Sequence, residues 1–387
     1  MGDQWFYASG EARQGPVDLE ALRRLRAAGQ IGDLTQVWKA GVEQGMPLGT
    51  ALDMAPRAGD RPRSFWQNVG AKLSAVAGVP EIGDVPVQRV LTDGFAEKGP
   101  IEDVFIAGTS TTTPPLSAVP SGWPRPRVWW RILLGAVATY ALLRLGISAF
   151  ENPRFLPGLV VVGSFVVPLG VLVFFYEMNA PRNVSVYQVG RMTLFGGALA
   201  LIVTMVLSAL VPGAGILPAL VTGVVEESAK ALALVLVLRE TRWRWQLNGL
   251  LFGAAVGAGF AGFESAGYAW SAPSVYSNIL WRALLSPGGH VIWTALIGAA
   301  LWEVRGTRPF EWRMLVHRKV LHRWGVAVVL HALWNVEFFA RAWLLQYAVL
   351  LVVGWYLVFA VFKGALHELA QAKQEAAVAP TALRIEV

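Results

Sequence analysis

Cysteine is absent from this 387-residue chain, so disulfide bridges, a thiolate nucleophile and Cys-ligated zinc or iron–sulfur sites are excluded. Histidines and carboxylates are then the metal ligands that remain. Charged residues are also scarce at 15%, below the roughly 25% of soluble domains. Together with 55% hydrophobic residues, 17 Trp and a mean hydropathy of +0.47, this predicts a polytopic membrane protein and excludes disorder over most of the chain.

The amino end carries no visible secretory signal, because Met1–Gly2–Asp3 lacks the basic start and apolar stretch of such signals. We therefore expect residues 1–127 to lie in the cytoplasm. Residues 1–55 predict a small α+β domain, with an aromatic strand around Phe6 and a helix that is capped by Asp18 and stopped by Gly29. Pro, Gly, Ser and Thr dominate residues 56–127, which predicts a linker.

Eight apolar runs follow, each of about twenty residues, the length that a hydrocarbon core of roughly 30 Å requires. They predict a mainly α-helical membrane bundle over residues 128–364 and a cytoplasmic tail over 365–387. The predicted spans are 128–149, 156–176, 192–211, 215–238, 247–268, 287–304, 324–341 and 344–363. Basic residues cluster in alternate loops, which predicts that both termini lie on the inner side. Because the positive charge lies in these loops and not in a polar domain, nucleic acid is not an expected partner.

The fourth run carries three ionisable groups, and each such group at mid-depth costs on the order of 2.5 to 3.5 kcal/mol on insertion scales. Glu226 and Glu227 precede Lys230 by four and three residues, so Lys230 can pair with either carboxylate on one helix face. Successive residues differ by about 100° around a helix, and the two carboxylates can therefore have different roles.

Three later runs carry further polar groups. Glu264 lies near the outer end of the fifth run, and His290 lies within a turn of the outer end of the sixth, after a Pro-Gly-Gly break. His331 and Asn335 are four residues apart near the middle of the seventh. Polar groups on four consecutive runs favour one shared site over separate structural roles. We expect a water-accessible cavity that opens to the outer face, with Glu264 at its rim.

This set of residues suits hydrolysis. Glu226 or Glu227 can act as the general base that activates a water. Asn335 and a histidine can donate hydrogen bonds to the oxyanion that forms. The residues do not distinguish which of the two glutamates is the base.

The motifs together resemble one family. EESAK at Glu226–Lys230, F-x-x-x-E at Phe260–Glu264, the histidine of GGHVIWT and HALWN at His331–Asn335 are similar to those of the PrsW intramembrane proteases, which are related to the CAAX prenyl proteases. The resemblance covers roughly Val128 to Lys363. It implies a multi-pass protein of the bacterial plasma membrane that hydrolyses a peptide bond in a membrane-anchored protein, in the best-known members an anti-sigma factor. The catalytic residues that it implies are Glu226, Glu227, Glu264, His331 and Asn335.

The same resemblance implies a metal, because the family is commonly called a metalloprotease family. His290, His331 and a glutamate would then form a three-ligand Zn²⁺ site with one open position. A metal-free variant, in which Glu and His alone polarise the water, fits the same residues. The chain contains no HExxH motif.

The amino-terminal pattern WFY…GPVDLEALRRL…GQI…VWKAG resembles the bacterial GYF-like domain. That resemblance implies an aromatic groove for Pro-rich peptides. Gly45 stands where the family usually carries a second Trp, and a compact spacer is the alternative reading.

Two other functions also fit a membrane bundle with buried charges. Intramembrane Glu, Lys and His build the proton relays of transporters, although the internal repeats typical of transporters are not found in this sequence. A non-catalytic scaffold, whose working part is the cytoplasmic domain, would tolerate loss of the membrane Glu and His residues.

Overall fold

The structure is a computed structural model that describes residues 4–10, 12–42, 44–54, 64–83, 85–96, 99–120, 122–211, 218–237, 241–271, 274–336 and 343–382. It divides into two compact units, Met1–Asn68 and Val69–Val387. Parts of the predicted segments lie outside the described residues: positions 1–3, 11, 43, 55–63, 84, 97–98, 121, 215–217, 238, 337–341 and 383–387.

The first unit contains a four-stranded antiparallel sheet and two short helices. Its strands are β1 (Trp5–Ser9), β2 (Ala12–Val17), β3 (Gln36–Lys39) and β4 (Met46–Pro47), in the order β2-β1-β3-β4. Its helices are α1 (Leu19–Ala27) and α2 (Leu48–Met54). Asp18 caps α1 as predicted, since its Oδ1 accepts a hydrogen bond from the Ala21 N–H at 2.7 Å. Leu22, Val37 and Leu48 fill the core, which confirms a small α+β fold.

The second unit is helical, and α3 (Phe65–Ala77) begins just before the division. The next helices are α4 (Val87–Thr92), α5 (Glu102–Phe105), α6 (Trp129–Ala149), α7 (Leu156–Met178), α8 (Val186–Arg191) and α9 (Gly197–Leu210). They are followed by α10 (Pro218–Val237), α11 (Gln246–Gly267), α12 (Val275–Leu285), α13 (His290–Arg305), α14 (Arg318–Asn335) and α15 (Trp343–Ala382). A π-helical turn, Met192–Gly196, joins α8 to α9.

Among the described residues, six helical stretches are long and apolar enough to cross a membrane, so the predicted count of eight is not confirmed. They are Trp129–Ala149, Pro153–Met178, Val186–Leu210, Gln246–Trp270, Val275–Arg305 and Trp343–Ala377. The two predicted spans missing from this set coincide with α10 and α14. These helices carry the charges that lower apolarity, which are Glu226, Glu227 and Lys230 in α10 and a basic first turn in α14. The chain is a multi-pass membrane protein.

The centre of the bundle is the pair α11 and α13, which are buried over most of their length. Around this pair, α7 and α9 pack on α11, α10 packs on α9 and α14, and α15 packs on α13. The first span, α6, packs on α7 and leaves most of its surface exposed, as expected for a lipid-facing helix. Polar residues on α10, α11, α13 and α14 can therefore meet inside the bundle.

Much of the segment predicted as a linker is packed on the helical unit. Apolar side chains from it belong to the main core: Ala77, Val79, Val90, Val104 and Val119. At its end, the Glu177 carboxylate accepts hydrogen bonds from three successive backbone N–H groups at 2.7 to 3.0 Å, those of Arg127, Val128 and Trp129, and so caps α6. Single apolar residues among Pro and Gly have no periodicity, which is why the sequence indicated a linker.

The boundary predicted at residue 364 also differs from the structure. Helix α15 continues without a break to Ala382, and Ala365 and Leu369 are buried in the main core. The beginning of the predicted tail is therefore part of the bundle.

Candidate active site

Helix α10 supplies two carboxylates and one ammonium group. Glu227 and Lys230 are fully buried, and Glu226 is 8% exposed. The Lys230 Nζ donates to Glu227 Oε1 at 2.7 Å, across the three-residue spacing that the sequence pointed to. Lys230 thus pairs directly with Glu227, and its Nζ lies 3.6 Å from Glu226 Oε2.

Helix α14 brings His331 to the same carboxylate. Its Nδ1 lies 2.9 Å from Glu227 Oε1, and its ring stacks on Trp293 with centroids 4.7 Å apart and 26° between planes. The two helices approach closely at Gly223, where a Cβ would lie only 3.0 Å from the Val328 carbonyl oxygen. A small residue at 223 therefore lets α14 place His331 beside α10.

His290 is the first residue of α13 and follows the short 3₁₀ turn Ser286–Gly288. Its Nδ1 lies 2.7 Å from Lys230 Nζ, and its ring centroid lies 5.1 Å from that of His331. The sequence placed this residue within a turn of the outer end of its span, but the apolar stretch is longer and covers Val275–Arg305. His290 therefore lies at an internal break of that stretch, where non-helical backbone can line a cavity.

Glycines of α11 position His290. A Cβ at Gly249, Gly253 or Gly257 would clash with the backbone of α13, and at Gly257 the clash is with the His290 carbonyl group. This four-residue repeat allows the two backbones to touch. The position of the imidazole is thus fixed through main-chain packing.

Glu264, four residues beyond Phe260 on α11, completes the cluster. Its Oε2 lies 3.2 Å from His290 Nε2 and accepts a hydrogen bond from Arg282 Nη2 at 2.6 Å. Arg282, on α12, also donates through Nε to the Ser265 hydroxyl at 3.0 Å. Arg282 lies between the predicted spans 247–268 and 287–304, so no role was predicted for it from the sequence. Its position in the otherwise apolar run ILWRALL was the available signal.

Glu226 presents a carboxylate oxygen without a hydrogen-bond partner in the described part of the chain. Its buried Oε2 lies 3.6 Å from Lys230 Nζ, 3.7 Å from His331 Nε2 and 4.0 Å from His290 Nδ1. These separations exceed direct hydrogen bonds. They leave room for one water that would contact all four residues.

The donor types around this gap suit a divalent metal. Glu226, His290 and His331 each offer a ligand atom, and the three atoms lie within 4.8 Å of one another. The second nitrogen of each histidine faces a carboxylate, Glu227 for His331 and Glu264 for His290. That arrangement is frequent around metal-bound histidines. However, Lys230 Nζ lies in direct contact with His290 Nδ1, one of the candidate ligand atoms.

Asn335 is the predicted residue that the structure does not bring to the cluster. It is the last residue of α14 and is exposed. Within the described residues it makes no hydrogen bond to the glutamates or histidines above. Glu226, Glu227, Glu264, His290 and His331 do come together.

Two cavities lie at the opposite end of α11. One, of about 420 Å³, is lined by residues that include Trp123, Arg125 and Glu177, and another, of about 380 Å³, by residues that include Arg242 and Trp245. Neither contains a residue of the Glu–His cluster. Cavity volume therefore does not locate the candidate active site in this protein, whereas the buried ionisable groups do.

Comparisons with known proteins agree with these observations. Residues 157–362 match the family described as PrsW family intramembrane metalloprotease, and residues 5–50 match GYF domain 2. No curated protein and no solved structure matches the chain. The first match covers more than half of the chain and contains every residue of the cluster. The chain belongs to the PrsW family of intramembrane proteases.

Proposed function

We propose that this chain hydrolyses a peptide bond of a membrane-anchored protein with a water that Glu226 holds and deprotonates. The observation that carries the proposal is the buried, unpartnered Glu226 Oε2, with three nitrogen atoms 3.6 to 4.0 Å away. A water in this gap would lie within reach of the base and of a donor.

Glu226 performs the proton transfers. Its Oε2 takes a proton from the water as the water oxygen bonds to the carbonyl carbon of the scissile peptide. When the carbon–nitrogen bond breaks, the same proton passes to the leaving nitrogen, so that one water is consumed and the carboxylate is regenerated. Such a base contributes about 10²- to 10⁴-fold to the rate.

The other residues orient the histidines and stabilise charge. Glu227 accepts a hydrogen bond from His331 Nδ1, so that Nε2 faces the gap. With both ring nitrogens protonated, His331 donates through Nε2 to the oxyanion. Glu264 holds His290 through Nε2. Asn335 stays a predicted oxyanion donor, although it is exposed at the end of α14.

The family description includes a metal, and Glu226, His290 and His331 are the residues that would hold a Zn²⁺ ion. Bound there, the ion would polarise the peptide carbonyl and acidify a water. The proton transfers above need only side chains of this chain.

The substrate that we propose is a single-span membrane protein, an anti-sigma factor being the candidate from the family resemblance. A helical peptide bond is shielded and its carbonyl is already hydrogen-bonded, so the substrate must unwind near the cluster. The cluster lies at the end of α11 that the basic-loop pattern assigns to the outside. We therefore propose eight spans in a bacterial plasma membrane, cytoplasmic termini and cleavage near the outer face.

For the N-terminal domain we propose capture of a Pro-rich peptide. Phe6 and Trp38 are neighbours on β1 and β3, and the Arg13 guanidinium lies 4.7 Å from the centroid of each ring. A Cβ at Gly45 would lie 2.5 Å from Trp38 Nε1, so the missing second Trp reflects space taken by Trp38. Phe6, Trp38 and Arg13 would form the face that such a peptide contacts.

Glu226→Gln tests the proposed catalysis, because the amide keeps the shape and removes the base. Cleavage of a co-expressed single-span substrate should fall by about 100-fold or more while the protein accumulates in the membrane. Glu151→Gln, the same change at an exposed position outside the cluster, should cleave normally. Full cleavage by Glu226→Gln would contradict the role of Glu226 as the base, whereas absence of cleavage by the wild type would favour a transporter.

A further inference from the structure

The Lys230 ammonium group lies inside the cluster. Its Nζ is 2.7 Å from Glu227 Oε1, 2.7 Å from His290 Nδ1 and 3.6 Å from Glu226 Oε2. It also lies 4.3 Å from the centroid of the Phe260 ring, close enough for a cation–π interaction. The side chain is fully buried. A positive charge thus occupies the centre of the site, tethered to α10.

The Lys230 ammonium group occupies the position that a metal ion would need. Zinc lies about 2.0 to 2.2 Å from histidine nitrogens and carboxylate oxygens, so an ion bound to His290 Nδ1 and Glu226 would fall beside Lys230 Nζ. Two cations at such a distance in a buried site repel each other strongly. A metal could bind there only after the ammonium group had left.

The ring nitrogens of His290 also exclude a metal ion while Lys230 is in place. Nδ1 has one lone pair, which can accept a hydrogen bond from Lys230 or bind a metal, but not both. The other nitrogen, Nε2, faces Glu264, and an N–H on Nε2 can donate to that carboxylate. With Lys230 in place, both nitrogens of His290 are engaged.

We propose that Lys230 is the resident cation of this site, so that the chain holds no divalent metal there, and that removal of the ammonium group converts Glu226, His290 and His331 into a metal-binding site. This inference rests on the proposed function, but the metal content of the protein can be measured whether or not the chain is a protease. A tethered ammonium holds Glu227 and His290 in place without an ion that can dissociate.

Metal content of the purified full-length protein in detergent tests the proposal. After incubation with excess Zn²⁺ and desalting, the wild type should retain well under about 0.1 equivalent of zinc by elemental mass spectrometry, against about one equivalent for Lys230→Met. Methionine has a similar length and carries no charge or proton donor. Lys72→Met, the same change at an exposed position on α3, should behave as the wild type does.

A second substitution assigns the site. Adding His331→Ala to Lys230→Met should lower zinc retention at least about tenfold. Co²⁺ gives an independent reading, since absorption bands of a tetrahedral Co²⁺ complex should appear for Lys230→Met and not for the wild type. Lys230→Gln replaces Lys230→Met if the methionine variant does not fold.

One equivalent of zinc in the wild type that His331→Ala removes would overturn the proposal, as would the absence of metal from both folded Lys230 variants. Retention of activity by the wild type in a chelator would agree with it. Failure of the proposed function would look different. Glu226→Gln would still cleave substrate, whatever the metal content of the Lys230 variants.

Discussion

In the N-terminal domain the buried side chains are apolar, with Leu22, Val37 and Leu48 at 0% exposure, whereas in the helical unit Glu227 and Lys230 are buried to the same degree. Among the residues that the structure describes, the first unit buries no charged or polar side chain at all. The two units therefore differ in the side chains that their cores bury. The small domain needs a core in order to fold, and the membrane unit contains charges that folding does not need.

Burial of those charges is tolerable because they neutralise one another. Taking an isolated ion from water costs several kcal/mol even after relaxation, and replacing a buried ion pair by apolar residues often leaves stability unchanged or raises it. Lys230 contacts Glu227, and Arg282 contacts Glu264, so each cation has a carboxylate within 2.7 Å. Such a network is weak evidence for stability and good evidence for chemistry.

Outside the cluster itself, we expect the largest loss of cleavage from a substitution that disturbs the packing of α11 on α13. In Gly257→Ala the new methyl group would clash with the His290 carbonyl, so the helix end must shift. A displacement of about 1 Å at a reacting group can cost about 100-fold in rate. We therefore expect Gly257→Ala to cleave a single-span substrate about 100-fold more slowly per folded molecule.

Gly325→Ala on α14 is the matched control, because nothing lies within 4 Å of a Cβ at that position. Alanine in an open helical position stabilises by about 0.5 to 1 kcal/mol relative to glycine. Thermal stability should therefore rise slightly and cleavage should stay at the wild-type rate. Equal losses in the two variants would mean that helix distortion in general, and not His290, limits the reaction.

The next effect in size concerns Arg282, which fixes Glu264 from α12. In Arg282→Ala, Glu264 loses its 2.6 Å hydrogen bond and can turn away from His290. A hydrogen bond to a charged group contributes about 1.5 to 3 kcal/mol, so kcat should fall by about tenfold or somewhat more. Because Arg282 holds a positioning carboxylate, KM should change little.

Arg282→Lys separates positioning from charge. It keeps the cation but not the second donor to Ser265, and should recover part of the lost kcat. If KM rises in both variants with kcat unchanged, Arg282 instead binds the substrate.

The spacing of residues on one helix was enough to predict part of the cluster. Helical neighbours recur every three to four residues, so Lys230 could pair with Glu226 or Glu227, and the structure selects Glu227. The contact of His331 with Glu227 needed a comparison of several runs, since it joins residues 104 positions apart. The expectation that rare intramembrane charges belong to one functional site predicted that His331 and Glu227 lie close together.

Contacts that depend on the path of the backbone could not be predicted. Arg282 reaches Glu264 only because the chain breaks at Ser286–Gly288 and α12 turns back onto α7 and the end of α11. Asn335 has the right spacing from His331 but is the last residue of its helix, where the side chain reaches the surface. Residues 80–127 show no helical or strand period, so the sequence does not predict their packing.

The smallest effect that we expect comes from deletion of Met1–Ala55. The domain has its own core and lies in a separate compact unit from the residues that carry the chemistry. Cleavage of a single-span substrate without a Pro-rich segment should therefore stay within about twofold of the full chain, measured per molecule in the membrane. A substrate with a cytoplasmic Pro-rich segment should be cleaved more slowly by the truncated chain, and Trp38→Ala in the full chain should reproduce that loss. If the well-expressed truncation loses all cleavage of both substrates, the N-terminal domain belongs to the active unit, and the division between a folding core and a chemical core does not hold.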